Sequence, residues 1–378
     1  MDNSETLRRN WAEIYKHCFV SNYYAVKHRI PHDCKILGVV KADAYGHGAV
    51  HVAKWLEELN ADYLAVACLQ EAVELRDAKI KLPILVLGYT SPERAEELID
   101  HDITQSVGCL SDAYQYAGIA ESCGKKLKIH IQLDTGMSRL GFRCDQNSFD
   151  KTVNEISDII NLTSLDSEGI YTHFSVSDMT DEKSKLYTDQ QYCLFKDTIH
   201  AVENRTGFSF RLHHCANSGA IINHPEMAEN MVRAGIVLYG YGDVNHVMDI
   251  KPCMAVKTRL SSVKRFPAGT MISYGCRYTT TQDTTIGVLG IGYADGLPRN
   301  SSGKCRYFLG NQSVKQIGTI CMDMCMVELE NPENIQTGHE VEIFGLNADL
   351  NQICAAAETI PYELLCRISK RVPRIYLE

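Results

Sequence analysis

The chain has 378 residues, enough for about two domains, and at 45% hydrophobic and 22% charged its composition is that of a globular protein. A formal charge of −9 and a pI near 5.9 argue against a nucleic-acid or membrane-surface partner, either of which favours a basic face, while leaving room for a small anionic ligand met by a local cationic cluster. No apolar run approaches the roughly 20 residues of a membrane span, and the start, "MDNSETLRRNWAE", lacks the pattern of a signal peptide, so a cytoplasmic location is expected.

In chain order, the first two-thirds alternates strand-like and helix-like runs. "CKILGVVKA" reads as a buried strand. "GAVHVAKWLEEL" reads as an amphipathic helix, with Val50, Ala53 and Leu56 on one face and Glu57 and Glu58 off it. "ADYLAVA" and "LPILVLG" are further strands, with "LQEAVELRDA" a helix between them. "SPERAEELIDHD" opens a helix with Ser91 at the N-cap, Pro92 at the first helical position and an acidic first turn. "KLKIHIQLDTG" and "SEGIYTHFS" are strands, followed by the helices "FDKTVNEISDIINL" and "TDQQYCLFKDTIHAVEN" respectively. "FRLHHCANS" and "GIVLYG" complete the series. Repeated βα units of about 30 residues imply parallel strands with crossover helices. About eight such strands before residue 245 favour a closed (β/α)8 TIM-like barrel over residues 1–245. From residue 246 to 378 the texture becomes mostly β: "MAVKTRLSSVKRF", "TMISYG", "TTIGVLGIGYADG", "SVKQIGTI" and "HEVEIFG" alternate with Gly, Asp and Asn, and helical periodicity returns only at "LNQICAAAETIPYELLCRI". The fifteen cysteines are scattered, with no CxxC pair and no zinc-like Cys/His spacing, so no metal is expected and most should be buried thiols.

In a barrel the chemistry sits at the C-terminal ends of the strands. Lys41 closes the first strong strand, "DTGMSRLGF" (134–142) follows another, His173 ends "GIYTH", Ser218 ends "HHCANS", and Arg233 begins "RAGI" before the last strand. Singly, each has a plain reading: a solvated lysine, a satisfied core histidine, a turn, a basic loop. Five at corresponding barrel positions are harder to dismiss.

"VVKADAYGHG", "DTGMSRLGF", "THFSVSD", "HCANSGA", "RAGIVLYG", "SYG", "GYADGLPR", "CMDM" and "TIPYELLCRISKRVPRIY" together resemble the alanine racemases, pyridoxal 5′-phosphate (PLP) enzymes with a barrel and a β domain. The likeness covers nearly the whole chain. It implies that Lys41 anchors PLP as a Schiff base and that Tyr274, from the β domain of a partner subunit, is the second base, so that a proton leaves one face of Cα and returns on the other. The residues implied to hold the phosphate are Tyr45, Ser218, Gly235, Ile236 and Tyr362. The resemblance places Arg233 opposite the pyridine nitrogen, with His214 orienting it, and His173 beside the tyrosine hydroxyl. Arg139 and Met322 fall on the substrate, and Asp323, Tyr293 and Asp178 along the access route.

The implied function is interconversion of L- and D-alanine, supplying D-alanine for peptidoglycan, in a homodimer with composite sites. The alternatives are a serine or broad-specificity racemase, a PLP-dependent decarboxylase of similar architecture, and a PLP-binding barrel without catalysis. Two departures stand out. "WAEIYKHC" replaces the family's "WAEIDL". Gln132 stands where many relatives carry a carbamylated lysine that holds the arginine matching Arg139. Glutamine cannot be carbamylated, so either its amide holds Arg139 or, as expected here, a small anion such as chloride takes the carbamate's place.

Overall fold

The computed structural model describes residues 8–242 and 246–378; the first seven residues and the expected boundary at residue 245 lie outside the described residues. The chain divides into two compact units. One comprises Val20–Ala44 and Ala49–Ile250. The other comprises the described part of Met1–Phe19, together with Tyr45–Gly48 and Lys251–Glu378. Strand β1 (Asn10–Tyr15) belongs to the second unit.

The first unit is the barrel. Its strands are β2 (Lys35–Val39), β3 (Tyr63–Val66), β4 (Ile84–Val86), β5 (Ile103–Val107), β6 (Leu127–Asp134), a two-residue β7 (Phe142–Arg143) paired only with β6, β8 (Leu165–Tyr171), β9 (Leu212–His214) and β10 (Met231–Ala234). Apart from β7 they form one parallel path, β10-β2-β3-β4-β5-β6-β8-β9. The Arg233 N–H, donating to Ala216 O at 2.9 Å, ties β10 to the chain just beyond β9. Runs such as "YLAV" and "ILV" are buried at every position, as parallel strands covered on both faces are.

The crossover helices follow the apolar stripes with small shifts. Helix Ala49–Glu58 buries Ala49, Val52, Ala53, Trp55 and Leu56 and leaves Val50 half-buried, because Trp55 turns the buried face. Pro92 opens a 3-10 turn, but the Ser91 side chain bonds Glu93 instead of capping the backbone. "GIVLYG" is not a strand. The last strand is β10, just before it, and Ile236–Tyr239 is a 3-10 turn. Gly235, at φ −105° and ψ −113°, breaks the extended run, and the Tyr239 hydroxyl fastens the turn by donating to Val39 O at 2.8 Å. Arg233 therefore sits inside a strand rather than ahead of one.

The second unit adds β11 (Met254–Phe266), β12 (Met271–Ile272), β13 (Tyr278–Thr279), β14 (Thr284–Leu289), β15 (Arg306–Leu309), β16 (Gln312–Ile317), β17 (Cys325–Leu329), β18 (Glu340–Phe344) and β19 (Arg374–Leu377). Its main sheet runs β14-β17-β16-β15-β18-β11-β1-β19, and β11 pairs with β14 as well. β1 lies antiparallel to β11 and parallel to β19. Here the N-terminal departure finds a place. Glu13 accepts from Trp11 Nε1 at 3.0 Å and from the Tyr15 hydroxyl at 2.5 Å, and pairs with Lys257 at 2.7 Å. Tyr15 thus serves a carboxylate cluster in the β sheet. All fifteen cysteines are free, but only seven are buried, fewer than expected, with five half-buried and three exposed; no helix among the described residues is long and apolar enough to cross a membrane.

Candidate active site

Lys41 lies two residues past β2, at the head of a helical turn over Lys41–Gly46. The turn is left-handed: φ is 53, 55, 52 and 52° at Ala42, Asp43, Ala44 and Tyr45, and 79° at Gly46. Four non-glycine residues in that region are disfavoured by roughly 1–2 kcal/mol each, so the turn needs ties. Glu71 supplies two, accepting the Ala42 N–H and the Ala67 N–H at 2.7 Å each. Asp43 accepts the Ala49 N–H at 2.8 Å. In the second unit, Arg374 Nε donates to Gly46 O at 3.0 Å. A Cβ at Gly46 would lie 2.5 Å from Leu365 O, so glycine is required there on two counts.

Arg233, 3% exposed, is held by acceptors on nearly every side. Nη1 donates to His214 Nδ1 at 3.1 Å and to His214 O at 2.8 Å. Nη2 donates to Thr172 O (2.8 Å), His173 Nδ1 (3.1 Å) and Cys215 O (3.2 Å). Its charge lies 5.2 Å over the Tyr171 ring, which stacks on His214 at 4.7 Å and 7°. Burial, then the Arg233, Arg139 and Lys41 charges, push His173 well below its ordinary pKa, so it is a neutral imidazole accepting at Nδ1 and carrying its proton on Nε2. Among the described residues the Arg233 Nε–H has no protein acceptor. That leaves one fixed donor for a ligand atom.

Ser218, 5% exposed, stands beyond β9, and its hydroxyl receives the Gly235 N–H at 3.0 Å and the Val237 N–H at 3.4 Å. Ile236, 1% exposed, lies between those two amides. A hydroxyl and converging backbone N–H groups suit a phosphate. In the second unit the Tyr45 and Tyr362 rings meet edge to face at 5.9 Å, Tyr45 buried and Tyr362 partly open. Burial, then Tyr362, raise the Tyr45 pKa, so it stays a protonated donor.

Of the two outcomes open for Gln132, the first fails: its amide does not hold Arg139. Its Oε1 accepts from the Tyr171 hydroxyl at 2.9 Å and from Ser106 Oγ at 3.3 Å. A neutral amide oxygen satisfies buried hydroxyls better than it balances a guanidinium. Arg139 is exposed, without a hydrogen bond or ion pair among the described residues. Burial pushes Tyr171 up to about 12, moderated by Ser106, Arg233 and Arg139. Asp178 is exposed, and its backbone lies against Gly219.

In the second unit Tyr274 stands on a turn, not a strand, because β12 stops at Ile272 and Ser273 takes φ 67°. The turn is tied to the loop after β16: Ser273 Oγ donates to Thr319 O at 2.7 Å, and Thr319 Oγ1 donates to Tyr274 O at 2.8 Å. Tyr274 is 71% exposed and lines an apolar groove of about 440 Å³ with Phe266, Met271, Ile272 and Met326. The Met322–Asp323 loop is held from both sides. The Tyr293 and Ala294 amides donate to Cys321 O and Met322 O at 3.0 and 2.9 Å, and a Cβ at Gly292 would sit 2.3 Å from Cys321 O. Asp323 pairs with Arg371 at 2.6 Å, and Arg371 and Arg9 both reach the buried Asp295 at 2.7 Å.

The structure therefore gathers Arg233, His173 and His214 into one cluster, Ser218 with Gly235 and Ile236 into another, Tyr45 with Tyr362, and Tyr274, Tyr293, Met322 and Asp323 onto turns of the β unit. Sequence reasoning missed Glu71, Thr319, Asp295, and His130 and Glu168 behind Arg233. The residues present fit PLP: a lysine amine on a braced turn, a fixed guanidinium donor, and a hydroxyl and amide nest.

Residues 14–243 match the model described as "Alanine racemase, N-terminal domain", and residues 253–376 match "Alanine racemase, C-terminal domain". The chain is 40% identical to alanine racemase 2 of Caldanaerobacter subterraneus subsp. tengcongensis over 99% of this chain and 96% of that protein. It is 41% identical to the alanine racemase of Methanococcus maripaludis over 97% and 98%. Among solved structures, alanine racemase of Clostridium difficile 630 superposes with a TM-score of 0.91 at 38% identity, covering 98% of this chain and 96% of that one. That of Streptomyces coelicolor superposes with a TM-score of 0.92 at 29% identity over the whole of both chains.

Proposed function

The chain belongs to the alanine racemase family and is a PLP-dependent racemase of alanine, and we propose that Lys41 and Tyr274 are its two bases and that a second copy of the chain supplies the tyrosine. When bound, PLP supplies the electron sink that makes the Cα proton removable. Lys41 Nζ takes or returns the proton on the D side, and the Tyr274 hydroxyl does so on the L side. Residues 1–245 carry most of the cofactor bed, with Tyr45, Ser218 and the Gly235 and Ile236 amides on the phosphate, and Tyr362, from beyond residue 245, is assigned to the phosphate as well. Residues 246–378 carry Tyr274 and the Met322–Asp323 loop. Arg139 and Met322 take the substrate, while Tyr293, Asp178 and Asp323 border its route. The product is D-alanine for peptidoglycan, made in the cytoplasm.

The observation that carries this reading is the setting of Arg233. An arginine is not deprotonated in proteins, so the Arg233 Nε–H would donate to the cofactor's ring nitrogen and would leave that nitrogen without a proton. The sink is then weaker, which favours quick return of the proton over side reactions. Support for a second copy comes from apolar side chains exposed on the tyrosine's own unit: Met271, 66% exposed and in the groove with it, and Met322 and Met324 at 53% and 47%. The test is borohydride reduction and peptide mapping together with chiral analysis. The pyridoxyl group should fall on Lys41, and either enantiomer of alanine should run to the racemate. An adduct on another lysine, or product of one hand only, overturns the assignment.

A further inference from the structure

Behind Arg233 stand two residues to which the reaction assigns nothing, His130 on β6 and Glu168 on β8. Counting donors from the arginine fixes every proton between them. A guanidinium only donates, so His214 Nδ1, 3.1 Å from Arg233 Nη1, accepts. Burial, then the neighbouring His130 and Arg233, hold His214 well below its ordinary pKa, so the ring is neutral and its proton is on Nε2. That proton faces His130 Nδ1 at 2.8 Å, which must accept it. His130 is also lowered by burial, with Glu168 opposing, so its own proton is on Nε2, facing Glu168 Oε2 at 3.4 Å. A carboxylate only accepts, and the row ends there.

Burial works to raise the Glu168 pKa, but hydrogen bonds from His130 and Tyr63 and the nearby charges hold it at about 2. The Tyr63 hydroxyl donates to the same oxygen at 2.8 Å while receiving the Thr104 hydroxyl at 2.8 Å. Arg211 lies 3.7 Å from the other oxygen. Both imidazoles are 0% exposed. Reversing the tautomers would set an N–H of His214 against an N–H of Arg233, and a bare ring nitrogen of His130 against a carboxylate. Both ends of the row thus dictate the same arrangement.

We propose that Glu168 and His130 are positioning residues of the racemase site: the row Glu168–His130–His214–Arg233 locks both imidazoles as Nε2–H tautomers, so that His214 always offers a lone pair to Arg233 and pins the guanidinium's direction. Neither residue touches the cofactor or the substrate. The catalytic part of this inference rests on the function proposed above; the tautomer row does not.

Histidine ¹⁵N NMR on the protein without cofactor tests the row directly. In the wild type both His130 and His214 should be neutral, protonated at Nε2 and bare at Nδ1. Glu168→Leu removes the terminal acceptor, and both rings should then populate the other tautomer. Glu168→Gln can still present a carbonyl oxygen and should restore the wild-type pattern. In the loaded enzyme Glu168→Leu should lower kcat about tenfold or more, as expected for loss of a charge-assisted hydrogen bond, with KM for alanine within about twofold; the glutamine variant should recover most of kcat. A charged imidazole or an Nδ1–H tautomer in the wild type overturns the row, and that spectrum suffices if the leucine variant does not fold. Unchanged tautomers in a folded leucine variant remove Glu168 from it. Changed tautomers with unchanged kcat remove the positioning role. An intact row in a protein that does not racemise alanine overturns the function reading alone.

Discussion

Replacing Glu71 by alanine should loosen the turn that presents Lys41 without touching the lysine. The carboxylate takes two amides at once, Ala42 N and Ala67 N, and the turn beyond it carries four left-handed non-glycine residues. Both amides reach solvent, so water replaces part of each bond, and the low end of hydrogen-bond values applies, about 0.5–1 kcal/mol apiece. Together they amount to about 1–2 kcal/mol, which changes a local opening equilibrium by a factor of roughly 5–30. Hydrogen–deuterium exchange with mass spectrometry reads this directly. Peptides covering residues 41–48 should take up deuterium faster by about that factor, and reductive trapping of PLP on Lys41 should slow, while peptides from β11 keep their rate. Uptake over 41–48 within twofold of wild type would mean that the left-handed turn is held by something other than the Glu71 clasp.

Tyr274→Phe should nearly abolish racemisation with PLP still bound, yet still exchange the Cα proton of D-alanine with solvent deuterium faster than that of L-alanine; equal exchange of both enantiomers counts against the two-base assignment. Because Tyr362 stands beside Tyr45 and a tyrosine narrows the room beside a substrate methyl, kcat/KM should be higher for alanine than for serine by the modest margin of small pocket differences, about 1–3 kcal/mol; a preference for serine would raise the broad-specificity alternative. With Gln132 engaged by Tyr171 and Ser106, activity should be independent of bicarbonate and should respond to chloride at constant ionic strength through Arg139; chloride-free buffer that leaves kcat/KM unchanged, with no anion density beside Arg139, ends that expectation. Glu168 has its pKa lowered from 4.5 to about 2 on folding, so its contribution to stability is fully present above about pH 4.5 and is lost as pH falls through 2. Urea midpoints between those pH values should therefore fall less steeply in Glu168→Gln than in wild type, and parallel acid limbs would show that the carboxylate is not held as described.

Much of this architecture was legible from pattern, and the misses have physical causes. Strands buried on both faces announce themselves as apolar runs, as β2, β3 and β4 do. β5, "ITQSV", does not, although all five residues are buried. Most of its polar groups find partners inside the unit, Gln105 Nε2 donating to Gly88 O at 2.8 Å and Ser106 pairing with the Tyr171 hydroxyl at 2.7 Å, while Gln105 Oε1 is buried without one. Interior polarity of that kind looks like a loop in a one-dimensional reading. His130 and Glu168 were missed for a related reason. A histidine in a strand reads as filler until its neighbours on other strands are known, although His130 and Gln132 alternate with isoleucines at period two, the available hint that they share a face. The left-handed turn at Lys41 had little signature, since Asp43 tolerates positive φ but Ala42, Ala44 and Tyr45 do not seek it. Lys41, Ser218 and Arg233 stood out by their places at barrel strand ends, but their roles, and Tyr274 altogether, were legible only through family motifs, and the bonds from the Gly235 and Val237 amides to Ser218 only in three dimensions.

The position of β1 between β11 and β19 bears on the order in which the molecule can be made. A ribosome delivers residues 10–15 more than two hundred residues before their antiparallel partner and more than three hundred before their parallel partner at 374–377. Contacts of such sequence separation are slow to form. The barrel strands, by contrast, find partners as they emerge, apart from β2 and β10, so the β unit is the last to close. A nascent or truncated chain lacking β19 holds β1 as an open edge, with unpaired N–H and C=O groups along "NWAEIY". Self-association during synthesis should therefore depend on the last few residues, and a chain ending at residue 373 should aggregate where the full chain does not.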